Sequence, residues 1–268
     1  MKKQFGVFIK NTGEIARMRK ANAIVAHVLD VMGSQVRPGV PTMLFEEIAQ
    51  EECRKAGVKP AFQGYHGFPY ALCCSVNEEV VHGFPSQRLL KEGDIVSFDM
   101  GVVYEGFYGD AARTYPVGVV SPEAEELLRV TRECLFKGIE AVRANMPLYG
   151  VSRAIQEHVE RAGLQVVRRF VGHGIGRSLH EKPEVPNFAP GGTMENNHWG
   201  VLLKAGMVLA IEPMVTLGTY EVDILDDNWT AVTRDRKLAA HFEHTVAVTH
   251  DGADILSLAE GEISPFAA

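Results

Sequence analysis

Two apolar runs of this sequence each end in an acidic residue, at a position where burying a carboxylate costs free energy. Asp99 ends one run and Glu212 ends another, and each follows residues typical of a buried strand. A buried carboxylate needs a compensating partner. Asp110 stands on the next predicted strand, and a hairpin centred on residues 104–106 would place it directly opposite Asp99. Because like charges that face each other destabilise a sheet, something positive should lie between the two.

Two positive partners are compatible with this hairpin. Arg113 could neutralise Asp99 and Asp110, and a bound metal ion is the alternative. His173 favours the metal, since it lies between two glycines that let a ligand approach its ring closely. Taken alone, such a histidine is more often a structural residue. Glu243 stands at the start of a predicted strand, after a polar run that would otherwise be an ordinary loop.

The combined set predicts a metal centre. Its members are Asp99, Asp110, His173, Glu212 and Glu243. Four clustered carboxylates would hold one another's pKa values high, whereas two divalent cations would balance their charge. Oxygen ligands with one imidazole suit Mn, Fe(II), Co or Zn, and a pair of such ions can activate a water molecule for hydrolysis.

Capping signals and hydrophobic periodicity indicate the elements that must position these residues. Asn11 with Glu14 forms a capping-box pattern, and Ser121 followed by Pro122 is typical of another helix start. The predicted helices span residues 12–33, 42–57, 121–144 and 149–163. The predicted strands of the first half span residues 72–76, 94–103 and 107–119.

The order of elements occurs twice, as two helices followed by strands. Segment 37–57 is similar to 143–163 at an offset of 106 residues, and 90–99 is similar to 203–212 at an offset of 113. We therefore predict an α+β fold of two pseudo-symmetric α/β halves, about 12–120 and 121–260. Antiparallel strands lie inside and helices outside, and residues 1–268 form a single catalytic domain. We interpret residues 189–197 as a surface insertion.

Composition excludes several classes of protein. The chain of 268 residues has a net charge of −7, with 27 basic and 34 acidic residues, so it offers no basic field to nucleic acid or anionic lipid. Its four cysteines include no C-x-x-C pair and are interpreted as reduced thiols. Neither a signal peptide nor a membrane span is indicated. We therefore expect a cytoplasmic protein.

Further motifs accompany the acids along nearly the whole chain. They are Tyr65-His66-Gly67-Phe68-Pro69, Cys73 to Asn77-Glu78, His82-Gly83-Phe84-Pro85, Gly172-His173-Gly174-Ile175-Gly176, His180-Glu181-x-Pro183, Ile211-Glu212-Pro213 and Glu243-His244-Thr245. In this combination the sequence resembles the type I methionine aminopeptidases of the creatinase-like ("pita-bread") fold. That resemblance implies a curved antiparallel sheet covered by helices.

The resemblance also implies roles for individual residues. Asp99, Asp110, His173, Glu212 and Glu243 would bind the metals, and Glu212 would also handle the proton of the nucleophilic water. His82 would act at the peptide nitrogen or terminal amine, although a simple turn residue beside Gly83 is equally compatible with the sequence. His180 would hydrogen-bond the substrate carbonyl. The methionine pocket would contain Tyr65, Phe68, Cys73 and Trp229 as well as His82 and His180.

The implied reaction is metal-dependent removal of the N-terminal methionine from peptides and nascent chains that have a small second residue. Two divalent ions would serve it, as Co, Mn, Fe(II) or Zn, in a monomer close to the ribosome. The departures from the family pattern are Leu179, Phe62 and the stretch 189–199.

Two other functions stay open. An X-Pro aminopeptidase or prolidase shares the fold and the ligands but carries an additional N-terminal domain, for which we expect no room before the first helix. A non-catalytic binding module of the same fold would lack some ligands. A Cys–His nucleophile would leave the acids unexplained.

Overall fold

The computed structural model describes residues 2–4, 6–189 and 201–259. The helices in this range are α1 (Thr12–Ser34), α2 (Met43–Ala56), α3 (Pro122–Glu140) and α4 (Tyr149–Arg161). The strands of the first half are β1 (Lys2–Gln4), β2 (Val7–Ile9), β3 (Lys59–Pro60), β4 (Leu72–Val76), β5 (Glu79–Val81), β6 (Ile95–Tyr104) and β7 (Phe107–Pro116). Those of the second half are β8 (Gln165–Val166), β9 (Gly172–Gly174), β10 (Glu181–Val185), β11 (Val208–Ile211), β12 (Met214–Thr216), β13 (Val222–Ile224), β14 (Ala231–Thr233), β15 (Ala239–His241), β16 (Glu243–Val248) and β17 (Ala253–Ile255). The predicted insertion at 189–199 lies, apart from Ala189, outside the described residues.

Local signals account for most helix boundaries. The Asn11 side chain accepts a hydrogen bond from the Glu14 backbone amide, and the Glu14 carboxylate accepts one from the Asn11 backbone amide, which confirms the capping box. Helix α2 ends at Ala56, and its C-cap residue Gly57 has the left-handed conformation. Helix α3 ends at Glu140, before the predicted residue 144, because the next segment pairs with another part of the chain: the Asn145 amide donates to the Leu203 carbonyl.

The central element is an eleven-stranded sheet, in which β1-β2-β10-β9-β11-β16-β7-β6-β3 are consecutive neighbours, β4 also pairs with β6 and β17 with β16. The β2·β10 pairing is parallel, and the other pairings of the described strands are antiparallel. Helices α1 and α2 share one hydrophobic cluster with β4, β6 and β7, whereas α3 and α4 share a second with β11 and β16. The predicted α+β class with helices outside the sheet is confirmed, with one parallel pairing as an exception.

The sequence repeat corresponds to a repeated backbone arrangement. The Gly39 amide donates to the Leu90 carbonyl at 2.7 Å, and Asn145 donates to Leu203 at 2.8 Å. An isolated bridge likewise joins Pro41 to Leu89 in the first half and Pro147 to Leu202 in the second. These pairs preserve the offsets of 106 and 113 residues, so the two halves use the same helix-to-strand connection.

The hairpin formed by β6 and β7 has a different register from the predicted one. Asp99 pairs with Ala112, and Asp110 pairs with Gly101, so the prediction that the two acids are directly opposed is wrong. The turn is made by Glu105 and Gly106 alone, with φ of 47° and 77°, as a two-residue type I′ turn requires. A shift of two residues keeps both acids on one face, as diagonal neighbours.

Candidate metal centre and active site

Five neighbouring strands each supply one acidic or histidine side chain to the same region. In sheet order, β9 carries His173, β11 leads directly into Glu212, β16 begins with Glu243, β7 carries Asp110 and β6 carries Asp99. The chain separates these residues widely, but the sheet makes them neighbours.

The register places these side chains on one face. Ala112 pairs with Asp99 on one side and with Glu243 on the other, and directly opposed residues share a face. Asp110 lies two residues from Ala112 and therefore faces the same way. On the other side, Ala210 pairs with His173, and Glu212 follows Ala210 by two residues.

The ligand atoms converge closely enough to hold a cation. One atom each from Asp110, His173 and Glu243 lie within 4.8 Å of one another. His173 Nε2 is 3.5 Å from Glu212 Oε1 and 3.8 Å from Asp110 Oδ2. The other ring nitrogen, Nδ1, lies 2.9 Å from the Gly174 carbonyl oxygen, to which it can donate. That bond leaves Nε2 as the free nitrogen, aimed at the acids.

Burial makes the charged state of these acids costly. It raises the pKa of Asp99 to about 7, and it raises the pKa of Asp110 and Glu243 well above the ordinary range, with neighbouring carboxylates adding to the shift. Glu212 is shifted in the same direction, because burial and then the charge of Asp99 raise its pKa. Burial lowers the pKa of His173 to about 3.

Three buried carboxylate oxygens, one each on Asp99, Asp110 and Glu243, have no hydrogen-bond partner among the described residues. The proposed internal partner, Arg113, forms an ion pair with Asp30 at 2.5 Å and lies on the opposite face of β7 from Asp110. The Arg113 alternative is therefore wrong. Unpaired carboxylate oxygens beside one free imidazole nitrogen fit a divalent first-row cation.

The acids lie in a cavity of about 250 Å³ that also has an apolar wall. The described lining residues include all five metal-ligand candidates together with His82, His180, Tyr65, Phe68 and Trp229, and also Phe62 and Leu179. The rings of Phe68 and Trp229 meet edge to face, with centroids 5.1 Å apart.

Cys73 differs from the other predicted pocket residues. It pairs with Asp99 across β4 and β6 and is buried, but it is not among the residues that line the cavity. Burial raises its pKa well above the ordinary thiol value, which agrees with the expectation that it is not a nucleophile. His66, Val81, Phe170 and Val171 line the cavity without having been predicted, because nothing in their local sequence distinguishes them from loop or core residues.

Comparison with known proteins identifies the family. Residues 16–250 match the family described as metallopeptidase family M24. This chain belongs to metallopeptidase family M24.

Two relatives of this M24 chain are similar over nearly their whole length. A methionine aminopeptidase from Clostridium perfringens is 52% identical over 94% of this chain and 99% of the relative. The crystal structure of a methionine aminopeptidase from Thermotoga maritima has a TM-score of 0.89 at 49% identity, covering 94% of this chain and 99% of that one.

Prolidases share the fold at lower similarity. The prolidase from Pyrococcus furiosus has a TM-score of 0.74 at 21% identity, and the match covers 93% of this chain but only 65% of the prolidase. That likeness concerns the fold alone. The resemblance inferred from the motifs, to methionine aminopeptidases of this fold, is therefore confirmed.

Two histidines of the M24 chain, His82 and His180, line the same cavity as the acids. His180 Nδ1 is 2.7 Å from the Tyr65 hydroxyl, and the His180 ring lies 4.3 Å from that of His173, centroid to centroid. His82 has a φ of 61° and packs edge-on against Phe170. Burial lowers the pKa of His82 to about 4 and also lowers that of His180, so both rings are neutral near pH 7.

His241 is a site residue that the sequence did not predict. It is 1% exposed, and its Nε2 lies 3.9 Å from Glu212 Oε2. The sequence shows it only as part of a polar run before a strand, and no local signal indicates that it faces Glu212.

Proposed function

We propose that this M24 chain removes the N-terminal methionine from peptides and nascent proteins whose second residue is small. The observation that carries this proposal is that one cavity contains both a cluster of unpaired acids and a wall of aromatic side chains. A cluster of acids alone would suit many metallohydrolases. The aromatic side chains beside it form a pocket for one apolar side chain of the substrate. The relatives named methionine aminopeptidase support the same reaction.

The residues present fit a divalent metal. Asp99, Asp110, His173, Glu212 and Glu243 would hold it, and two ions would balance four carboxylates. A bound divalent metal supplies Lewis acidity and lowers the pKa of water toward neutrality. We propose Mn, Fe(II), Co or Zn in this role, because a mixed oxygen and imidazole ligand set accepts each of them.

Glu212 is the residue best placed to move protons. Burial and the charge of Asp99 raise its pKa, which brings a carboxylate closer to the range where it can both accept and return a proton near neutral pH. It would take a proton from the attacking water and deliver it to the nitrogen of the leaving peptide.

His180 is poised to donate to the substrate carbonyl. When the Tyr65 hydroxyl donates to Nδ1 across 2.7 Å, the proton of the neutral ring must sit on Nε2. That proton can then meet the negative charge that develops on the carbonyl oxygen, a contact worth about 2.7–4 kcal/mol in comparable sites. His82 would contact the peptide nitrogen or the terminal amine.

The aromatic wall would receive the methionine side chain. Phe68, Trp229 and Tyr65 line the cavity together, and each sulfur–aromatic contact contributes about 0.3–1.5 kcal/mol. Cys73 would lie behind these aromatic side chains rather than in contact with the methionine. The cavity is small, which favours a small residue beyond the scissile bond.

The cellular setting completes the proposal. Within the described residues, no helix combines the length and apolar composition that a membrane span requires. We propose a cytoplasmic monomer, with residues 1–268 as one catalytic domain, that acts on nascent chains near the ribosome. The net charge of −7 argues against direct nucleic-acid binding.

Metal add-back tests this function. The protein is stripped with chelator and supplied anaerobically with Mn, Co, Fe(II) or Zn, and release of the first residue is followed from Met-Ala-Ser, Met-Leu-Ser and Gly-Pro-Ala. Asp99→Ala is the inactive control, and Glu157→Gln, at an exposed acid on α4, is the matched active control.

Metal-dependent release from Met-Ala-Ser alone, lost in Asp99→Ala and kept in Glu157→Gln, is the expected result. Cleavage of Gly-Pro-Ala instead would assign the chain to the X-Pro peptidases. Peptide binding without turnover under any metal would favour a binding module.

A further inference from the structure

His241 is a buried histidine for which the proposed mechanism has no role. Its backbone is held on two sides: it pairs with Met214 across β12 and β15, and Thr114 both donates to its carbonyl and accepts from its amide. The side chain is 1% exposed, yet Nε2 has no hydrogen-bond partner in the part of the chain that the structure describes. Buried polar atoms are rarely left unpaired, so this nitrogen calls for an explanation.

The Glu212 carboxylate lies between two imidazoles. His173 Nε2 is 3.5 Å from Oε1, and His241 Nε2 is 3.9 Å from Oε2. The first oxygen therefore faces the metal-ligand candidates, and the second faces a ring outside that set. A carboxylate that binds a metal through one oxygen is commonly oriented by a donor to the other.

We propose that His241 is a positioning residue that donates a hydrogen bond from Nε2 to Oε2 of Glu212 and so fixes the rotation of this carboxylate. The gap is about 1 Å longer than a hydrogen bond, and catalytic hydrogen bonds often tighten only in the loaded site. A neutral imidazole has one N–H to donate.

This inference rests on the proposed function, because it assigns Glu212 to the reaction. A histidine that is only part of the core would stabilise the fold without affecting the orientation of Glu212. The two roles differ in what a substitution changes: a core role changes the free energy of unfolding, whereas a positioning role changes kcat and the electronic environment of the metal.

The test compares His241→Leu, which removes the donor, with His241→Gln, which replaces it by an amide N–H. Each variant is measured in three ways: the affinity of chelator-stripped protein for Mn²⁺, the visible spectrum of the Co²⁺-loaded protein, and kcat and KM for Met-Ala-Ser. Urea unfolding of the stripped proteins reports stability. If His241→Leu does not fold, His241→Met takes its place as an apolar side chain with more freedom to adapt.

We expect the apolar variant to lose about 10–100-fold in kcat or in metal affinity, as substitutions around metal ligands do, with an altered Co²⁺ spectrum and KM within about twofold. His241→Gln should recover most of the loss. Equal loss in both variants, in proportion to lost stability and with an unchanged Co²⁺ spectrum, would overturn the proposal, as would wild-type behaviour in both. If the wild type releases no methionine, the proposed function fails, while Mn²⁺ affinity and the Co²⁺ spectrum still decide the role of His241.

Discussion

Two clusters of buried charge lie close together in this molecule and differ in whether the protein itself satisfies them. In the first, Lys10 Nζ lies 2.7 Å from Glu181 Oε2, and the other Glu181 oxygen accepts the amides of Arg177 and Ser178 at 2.8 and 3.3 Å. In the second, Asp99, Asp110 and Glu243 each retain a buried oxygen that no described residue pairs with. The first cluster is complete within the chain, and the second requires a cation from outside.

The complete cluster has a structural purpose. Glu181 directly follows His180. Its bonds to the Arg177 and Ser178 amides hold the loop that carries His180, and its ion pair with Lys10 joins that loop to the N-terminal segment. Gly176 makes room for this contact, because a Cβ there would lie 2.6 Å from Lys10 Cε and 2.7 Å from Glu181 Oε1. Buried charge therefore indicates a binding site only when its polar atoms remain unpaired.

The largest effect should come from Asp110→Asn. This change preserves shape but removes a proposed metal ligand, and the lost transition-state stabilisation of several kcal/mol corresponds to a fall of about 10³-fold or more in kcat/KM. Metal content measured by elemental analysis should fall with it, while the stripped variant is at least as stable as the stripped wild type. A variant that retains its full metal content would contradict the assignment.

The next effect should come from Lys10→Met. It leaves Glu181 buried without its cation, which costs about 3–5 kcal/mol in the free energy of unfolding. Urea denaturation of metal-free protein measures this loss. Arg129→Met, which removes an exposed ion pair with Glu133, should cost about 1 kcal/mol or less. Comparable losses in the two variants would contradict the claim that the buried Lys10–Glu181 contact stabilises the fold more than an exposed ion pair does.

A smaller effect should appear in the pH dependence of the free energy of unfolding of the stripped protein. Burial raises the pKa of Asp99 from 3.8 to about 7, so the folded state binds more protons than the unfolded state between these values. The stability this contributes is present below about pH 4 and falls by about 3 kcal/mol between pH 4 and 7, and the rest is lost as the pH rises past 7.

Three buried histidines oppose this loss of stability. Burial lowers the pKa of His82, His173 and His241, so these residues increase the free energy of unfolding as the pH rises toward 6.5. The measurement is therefore the difference in unfolding free energy between wild type and Asp99→Asn. This difference should shift against the wild type as the pH rises from 4 to about 7. A difference that does not change with pH, or that changes in favour of the wild type, would show that Asp99 is not a buried, unpaired carboxylate.

The smallest effect should come from Tyr65→Phe. The change removes the hydroxyl that orients His180 but keeps the aromatic wall, and one hydrogen bond of about 1 kcal/mol corresponds to about a fivefold lower kcat. Metal content should not change. A loss as large as that of Asp110→Asn would mean that Tyr65 acts on the metal cluster as well.

Features of local origin could be predicted from the sequence. Helix α1 begins where Asn11 and Glu14 cap it, and α2 ends just before Gly57, because those signals lie within a few residues of the boundary. Asp99 and Glu212 could be named because an acid at the end of an apolar run is costly, and the structure brings them together with Asp110, His173 and Glu243 in one cavity.

Features that depend on distant pairing could not be predicted. The hairpin register depends on which residues adopt positive φ, and the turn at Glu105 and Gly106 was not distinguishable from its neighbours. His241 belongs to β15 in a separate small sheet, so its approach to Glu212 follows from how two sheets meet.

The most direct test of the central claim is to count the protons released when Mn²⁺ binds to stripped protein at pH 7. Calorimetric titration in two buffers of different ionisation enthalpy gives this number. Because burial raises the pKa values of these acids, some carry protons that the cation must displace. We predict binding with net proton release in the wild type, and neither in Asp110→Asn. Mn²⁺ binding without proton release, or unchanged binding in Asp110→Asn, would contradict the claim that the unpaired acids form the metal site.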